Sequence, residues 1–235
     1  MFAEHLTQVS QRIHQACERS HRDPSSVTLV CVTKGVPVDV IREAVSLGVR
    51  ELGENRVQEA RLKHSSLVTR HSSLKWHLIG HLQRNKAKLA VELFDVIHSV
   101  DSVALAEALE QQAAKQDRRI EIFVQVNVSG ETTKFGCQPA QTIALARTIA
   151  PLPHLRLKGL MTMAPFGDDP EAARPHFRRL RELRDALQRE LSTGPLSHFA
   201  TGPLQLSMGM SQDFEVAIEE GADLVRIGTA IFKRT

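Results

Sequence analysis

The stretch VTLVCVTKGVPVDV, residues 27–40, decides how the rest of the chain reads. Val27, Leu29, Val30, Cys31 and Val32 form the near-continuous apolar run of a strand covered on both faces, as in parallel sheets flanked by helices. The run stops at Lys34 and passes through Gly35 and Pro37 into a helical pattern, PVDVIREAVSLG. Pro37 suits the start of that helix, and Gly48 suits its end. A lysine at the exit of such a strand either snorkels into water or has a task for its amine.

Working outward, short apolar runs alternate with longer helical patterns along the whole chain. The strand candidates are 27–33, 49–52, 75–79, 95–100, 120–128, 156–161, 204–208 and 223–227. Helical patterns fill the intervals, the longest being DPEAARPHFRRLRELRDALQREL, and one further amphipathic helix precedes the first strand. Strands joined by crossover helices, with no hairpin signal, predict an α/β fold closed as a (β/α)8 TIM barrel. An open doubly wound sheet is disfavoured, because GVPVDV after the first strand is not the GxGxxG turn of a dinucleotide fold. Residues 1–235 read as one domain with an extra N-terminal helix.

Composition narrows the classes further. Hydrophobic residues make up 42% of the 235, enough for a sizeable core. Lys and Arg number 30 against 27 Asp and Glu, and the two signs are interspersed, as in RRLRELRDALQRE. With aromatics at 4% and no basic tail, nucleic-acid binding is not indicated. Cys17, Cys31 and Cys137 are odd in number and widely spaced, which argues against a disulfide scaffold or a thiolate zinc site. No run approaches the roughly 18 apolar residues of a membrane span, and the first helix lacks the apolar centre of a signal peptide. A cytoplasmic protein is the expectation.

In a barrel of this type the site lies at the carboxyl ends of the strands. Lys34 follows the first strand, and Glu54, Asn55 and Arg56 follow the second. His81 follows the third, Ser99 and Asp101 the fourth, and Asn127 and Ser129 the fifth. SMGMS (207–211) and RIGTA (226–230) put small residues and hydroxyls after the last two strands, where such barrels commonly hold phosphate. Gly209, Gly228 and Thr229 offer amides, Ser207 and Thr229 offer hydroxyls, and a helix opening at Ser211 would add its dipole. The competing view is that these glycines only form tight turns. Lys34 beside phosphate would serve as a counter-charge or as a Schiff-base amine, which suits a phosphorylated carbonyl compound or pyridoxal phosphate. Arg226 would donate to a ring nitrogen or pair with a barrel carboxylate. Met208 would pad a flat ring or fill the core. His77 and His81 are four apart, but Gly80 interrupts them and no HExxH frame exists, so a metal site is not indicated. Spacing assigns no role to Lys86, His81 or Lys134.

With these residues assembled, the sequence resembles the YggS/PROSC family of pyridoxal 5′-phosphate (PLP) homeostasis proteins. The resemblance is carried by VTLVCVTKGVP (27–37), ELGENRVQEA (51–60), WHLIGHLQRNK (76–86), IHSVDS (97–102), VQVNVSGETTKFG (124–136), GLMTMAP (159–165) and LSMGMSQDFEVAIEEGADLVRIGTAIF (206–232). It implies one barrel akin to the amino-terminal domain of alanine racemase, with PLP as cofactor, held as an internal aldimine on Lys34. It also implies Arg226 at the pyridine nitrogen, Ser207, Gly228 and Thr229 at the phosphate, and Asn55 at the cofactor mouth.

Two features favour a carrier over an enzyme. The chain contains no tyrosine, so a racemase using opposed lysine and tyrosine bases cannot be built from it. A guanidinium at the pyridine nitrogen would leave the ring a poor electron sink. The expectation is a PLP-binding homeostasis protein that passes cofactor on by transimination to small amines or amino acids, or in transient contact with PLP-dependent apoenzymes. A PLP-dependent racemase or lyase of low activity, a Schiff-base aldolase and a PLP-sensing regulatory module are the alternatives. A monomer is expected, with no membrane partner.

Overall fold

A computed structural model describes residues 2–67, 73–131, 134–193 and 202–232. Eight parallel strands close into a barrel in chain order: β1 (Thr28–Val32), β2 (Glu51–Glu54), β3 (Lys75–Leu78), β4 (Val96–Val100), β5 (Ile120–Gln125), β6 (Leu155–Met161), β7 (Gln205–Ser207) and β8 (Leu224–Ile227). β1 pairs with β8, Val30 opposite Arg226, and that pairing seals the ring. Helices α2 (Val38–Ser46), α3 (Val57–Leu67), α4 (Ala87–Leu93), α5 (Val103–Lys115), α6 (Thr142–Ile149), α7 (Arg174–Thr193) and α8 (Phe214–Glu219) follow β1 to β7 in turn. The closed (β/α)8 barrel that the alternation predicted is the fold.

Side-chain alternation along each strand sorts residues between two cores. Val30, Val96, Phe123, Met161 and Leu224 form one small cluster, contributed by β1, β4, β5, β6 and β8. A larger cluster lies between the strands and the helices, and includes Ile41, Leu52, Leu78, Leu109, Phe177 and Phe214. The extra helix, α1 (Phe2–Arg19), packs Val9, Ile13, Ala16 and Cys17 onto this outer layer and touches α8 and α9 (Thr229–Phe232). Arg12 and Arg19 clamp it to Glu215, and Phe2 stacks on Phe232 with ring centroids 5.3 Å apart. Cys17, Cys31 and Cys137 are free and buried, and burial pushes the Cys31 thiol up to about 12, which leaves it inert. Among the described residues no helix is long and apolar enough to cross a membrane.

Several boundaries differ from the sequence reading; β5, for one, ends at Gln125 rather than at 128. β2 runs two residues further than 49–52 suggested, because Gly53 and Glu54 carbonyls accept from Thr33 and Ile79 amides in the ladder. Glu54 is thus a strand residue facing α3 rather than a loop residue at the mouth. The helix expected at Ser211 begins at Phe214, after a turn in which the Asp213 carboxylate accepts the Met210 amide. The short α9 was not anticipated, because a single turn leaves no periodicity to read.

β6 carries a bulge: its register against β5 shifts between Leu157 and Gly159. A Cβ at Gly159 would sit 1.8 Å from the Gln205 carbonyl oxygen of β7. Gly159→Ala therefore forces backbone apart, and a loss of about 1–3 kcal/mol or more is expected. Urea unfolding checks this; an unchanged midpoint would show that β7 yields freely.

Candidate functional site

The carboxyl ends of the strands surround a cavity of about 1220 Å³. Lys34, Asn55, Ser211, Arg226, Gly228 and Thr229 line it together with an apolar wall. Lys34 leaves β1 on an exposed turn, with Gly35 at φ +69° immediately after it. The turn is pinned on both sides of the lysine: the Thr33 carbonyl accepts from Lys63 Nζ at 2.6 Å, and the Gly35 amide donates to Glu59 at 2.5 Å. Among the described residues Lys34 itself has no ion-pair partner, so the turn is fixed while its amine stays unpaired. Register pairs Val32 with Gly53, so Asn55 leaves β2 beside the lysine turn. Gly80 of the next loop packs against it so closely that a Cβ would lie 2.2 Å from the Asn55 carbonyl oxygen.

Arg226 is 3% exposed and borders the cavity from β8. The sequence left open a pairing with a barrel carboxylate; none is within ion-pair distance among the described residues. Its guanidinium instead donates to Ser207 Oγ at 2.6 Å and to the Thr162 carbonyl at 2.8 Å. Burial pulls its pKa down to about 10, offset in part by the nearby Asp213 carboxylate, and it remains a cation at neutral pH. Gly228 and Thr229 stand at the start of α9, where helical amides lack intrahelical acceptors. Ser211 faces them, its hydroxyl accepting the Ala230 amide at 3.3 Å.

Several candidates do not reach the cavity wall. Ser207 and Met208 are fully buried and line no part of it. Ser207 is occupied by Arg226 and by His98, whose Nδ1 lies 2.8 Å from its hydroxyl, and Met208 belongs to the outer core. Asn127 and Ser129 bond to each other, and Asn127 also to Gly130 and Glu131. Lys134 pairs with Glu131 at 2.9 Å, while Lys86 precedes α4 and lines no part of the cavity. His77 and His81 separate: His77 is inside the barrel, and His81 lies at the mouth, stacked on Phe135 at 3.8 Å. Among the described residues no group of His, Cys, Asp and Glu could hold a metal ion.

Sequence reasoning missed Ser211 as a wall residue, and missed the exposed Phe135 and Phe166 at the rim. The turn chemistry of MGMSQD was the available signal for Ser211; the rim aromatics left none.

The whole chain has relatives of the same length and fold. The family described as "Alanine racemase, N-terminal domain" matches residues 5–235. The pyridoxal phosphate homeostasis protein of Aquifex aeolicus is 45% identical, over 97% of this chain and 96% of its own. That of Pseudomonas aeruginosa is 42% identical, over 98% and 94%. The chain belongs to the pyridoxal phosphate homeostasis protein family. A solved member, PipY of Synechococcus elongatus with PLP bound, is 39% identical and superposes with a TM-score of 0.82, over 99% of this chain and all of that one. Membership in this family extends over the barrel from α1 to α9, so the cavity lies wholly within the matched region.

Proposed function

We propose that this chain binds pyridoxal 5′-phosphate in the mouth cavity and serves as a carrier in PLP homeostasis. The observation that carries the reading is the buried Arg226 guanidinium. A cation with no carboxylate partner among the described residues, bordering a cavity with a free lysine on its rim, calls for a ligand that accepts hydrogen bonds and reacts with amines. The donor set fits PLP. Lys34 would supply the nucleophilic amine, Arg226 would donate toward the pyridine nitrogen, and Ser211 with the Gly228 and Thr229 amides would receive the phosphate, all of them lining the cavity. Asn55 sits beside the lysine at the mouth. Ser207 contributes from behind the wall by holding Arg226, and Met208, packed in the outer core, lines no part of the cavity.

When bound, PLP supplies an aldehyde carbon at which Lys34 and an incoming amine can exchange by transimination. The chain's own residues favour release over chemistry. Arg226 stays protonated and so leaves a ring nitrogen without its proton, which weakens the ring as an electron sink. The lysine turn is exposed, and the mouth is open to an incoming amine, with Phe135 and Phe166 exposed at its rim. Incubation with PLP, borohydride reduction and intact mass measurement test the reading. The expected result is one cofactor increment, mapped to the peptide containing Lys34. No increment, or labelling spread over surface lysines, would sink it.

A further inference from the structure

The barrel interior is not wholly apolar, although side chains of the Val, Ile and Leu type dominate such cores. A continuous polar thread crosses it. Arg226 of β8 donates to Ser207 Oγ of β7 at 2.6 Å, and Ser207 Oγ lies 2.8 Å from Nδ1 of His98 on β4. His98 Nε2 lies 2.8 Å from Nδ1 of His77 on β3, and His77 Nε2 lies 2.5 Å from Glu51 at the start of β2. Ser207, His98 and His77 are buried, whereas the Glu51 side chain keeps 29% of its exposure. The thread therefore runs from the cavity wall to the opposite end of the barrel.

Its two ends fix its direction. A guanidinium can only donate, and a carboxylate can only accept. Ser207 Oγ accepts from Arg226, so its own proton is free for His98 Nδ1, the one acceptor near it among the described residues. His98 must then carry its proton on Nε2 and donate to His77 Nδ1. His77 in turn donates from Nε2 to Glu51. The opposite direction would leave the buried Ser207 proton without an acceptor, at a cost of about 1–3 kcal/mol. It would also need either two acceptors facing each other at Glu51 or a second buried cation close to Arg226. Burial, reinforced by the positive charges of Arg226 and Lys75, lowers the His98 pKa well below the ordinary imidazole value, consistent with a neutral ring stacked on Phe123.

We infer that Ser207, His98 and His77 are positioning residues that hold Arg226 through a one-directional hydrogen-bond thread, with each imidazole protonated on Nε2 alone. In this arrangement the Ser207 hydroxyl has no proton left for a ligand, and its task is to aim the guanidinium. The statement about Arg226 and a bound ring rests on the PLP reading; the proton positions do not.

Two measurements keep these apart. With ¹⁵N-labelled histidine and no cofactor, long-range ¹⁵N–¹H correlation near neutral pH is expected to show a protonated Nε2 and an unprotonated Nδ1 in both rings. His98→Gln and His77→Gln assign the signals. A proton on His98 Nδ1, or two protons on either ring, would overturn the thread. In the second measurement the chain is loaded with PLP labelled at the ring nitrogen. Ser207→Ala, which removes one atom, is expected to move that resonance well outside its wild-type position in samples matched to wild type for bound PLP. An unmoved resonance would overturn the positioning role. Failure of the wild-type chain to take up PLP would overturn the cofactor reading and this role together, and leave the proton positions to the first measurement.

Discussion

Lys34→Ala is expected to abolish covalent retention of PLP and leave the fold intact. The side chain is exposed and, among the described residues, unpaired, so its removal should shift unfolding free energy by no more than roughly 0.5 kcal/mol. Labelling by borohydride, read as intact mass, should fall to background in the same preparation. Lys34→Arg separates the two tasks that a lysine can have here. It preserves a cation beside the phosphate but offers no nucleophilic amine at any accessible pH. If the lysine were only a counter-charge, the arginine variant would bind PLP as the parent does and the reduced label would be absent from both. A label present in the parent and lost in both variants assigns the amine. Reduced labelling that survives in Lys34→Ala would place the attachment elsewhere.

The barrel was legible because its determinants are local. Eight apolar runs, each followed by a helical pattern, need no knowledge of distant contacts. Lys34, Asn55, Arg226, Gly228 and Thr229 followed from the same source, since a strand's end marks the mouth of the barrel. Glu54 shows where local reasoning stops. A carboxylate after an apolar run reads as a loop, whereas here the ladder continues through Glu54 and Lys63 of α3 compensates its buried charge. Ser207 and the two histidines show a second limit. Strand alternation sends Ser207, His98 and His77 to the inside, but whether they meet depends on the register and stagger of β3, β4 and β7. A single strand's sequence does not contain that relation. His77 and His81 are four apart, but Gly80 between them already spoke against a pair, and the strand end turns one ring inward and the other to Phe135.

Lys63→Ala is expected to be the most destabilising single change near the site, although Lys63 touches neither the cavity nor its proposed ligand. Its Nζ reaches Glu54 and Glu59, each at 2.7 Å, and the Thr33 carbonyl. Glu54 is fully buried and also accepts from Thr33 Oγ1 at 2.5 Å. Desolvation outweighs these partners and already raises its pKa above the ordinary carboxylate value. Removing the lysine leaves a buried carboxylate without its cation, and a loss of about 3–5 kcal/mol in urea unfolding at neutral pH is expected. The sign of the pH dependence follows from the raised value. Between the unfolded and folded pKa the folded chain holds the Glu54 proton more tightly, so this group's contribution to stability falls as pH rises through that interval. Without Lys63 the folded value climbs further, so the deficit should shrink on acidification toward the carboxylate range. Glu54→Leu placed on top of Lys63→Met should recover much of the loss, because both charges leave together. The same lysine pins the turn that presents Lys34, so Lys63→Ala should also slow PLP labelling under conditions where the variant is still folded. A variant that unfolds at the wild-type midpoint at neutral pH would mean that water reaches Glu54, and that the Lys34 turn is held by its backbone alone.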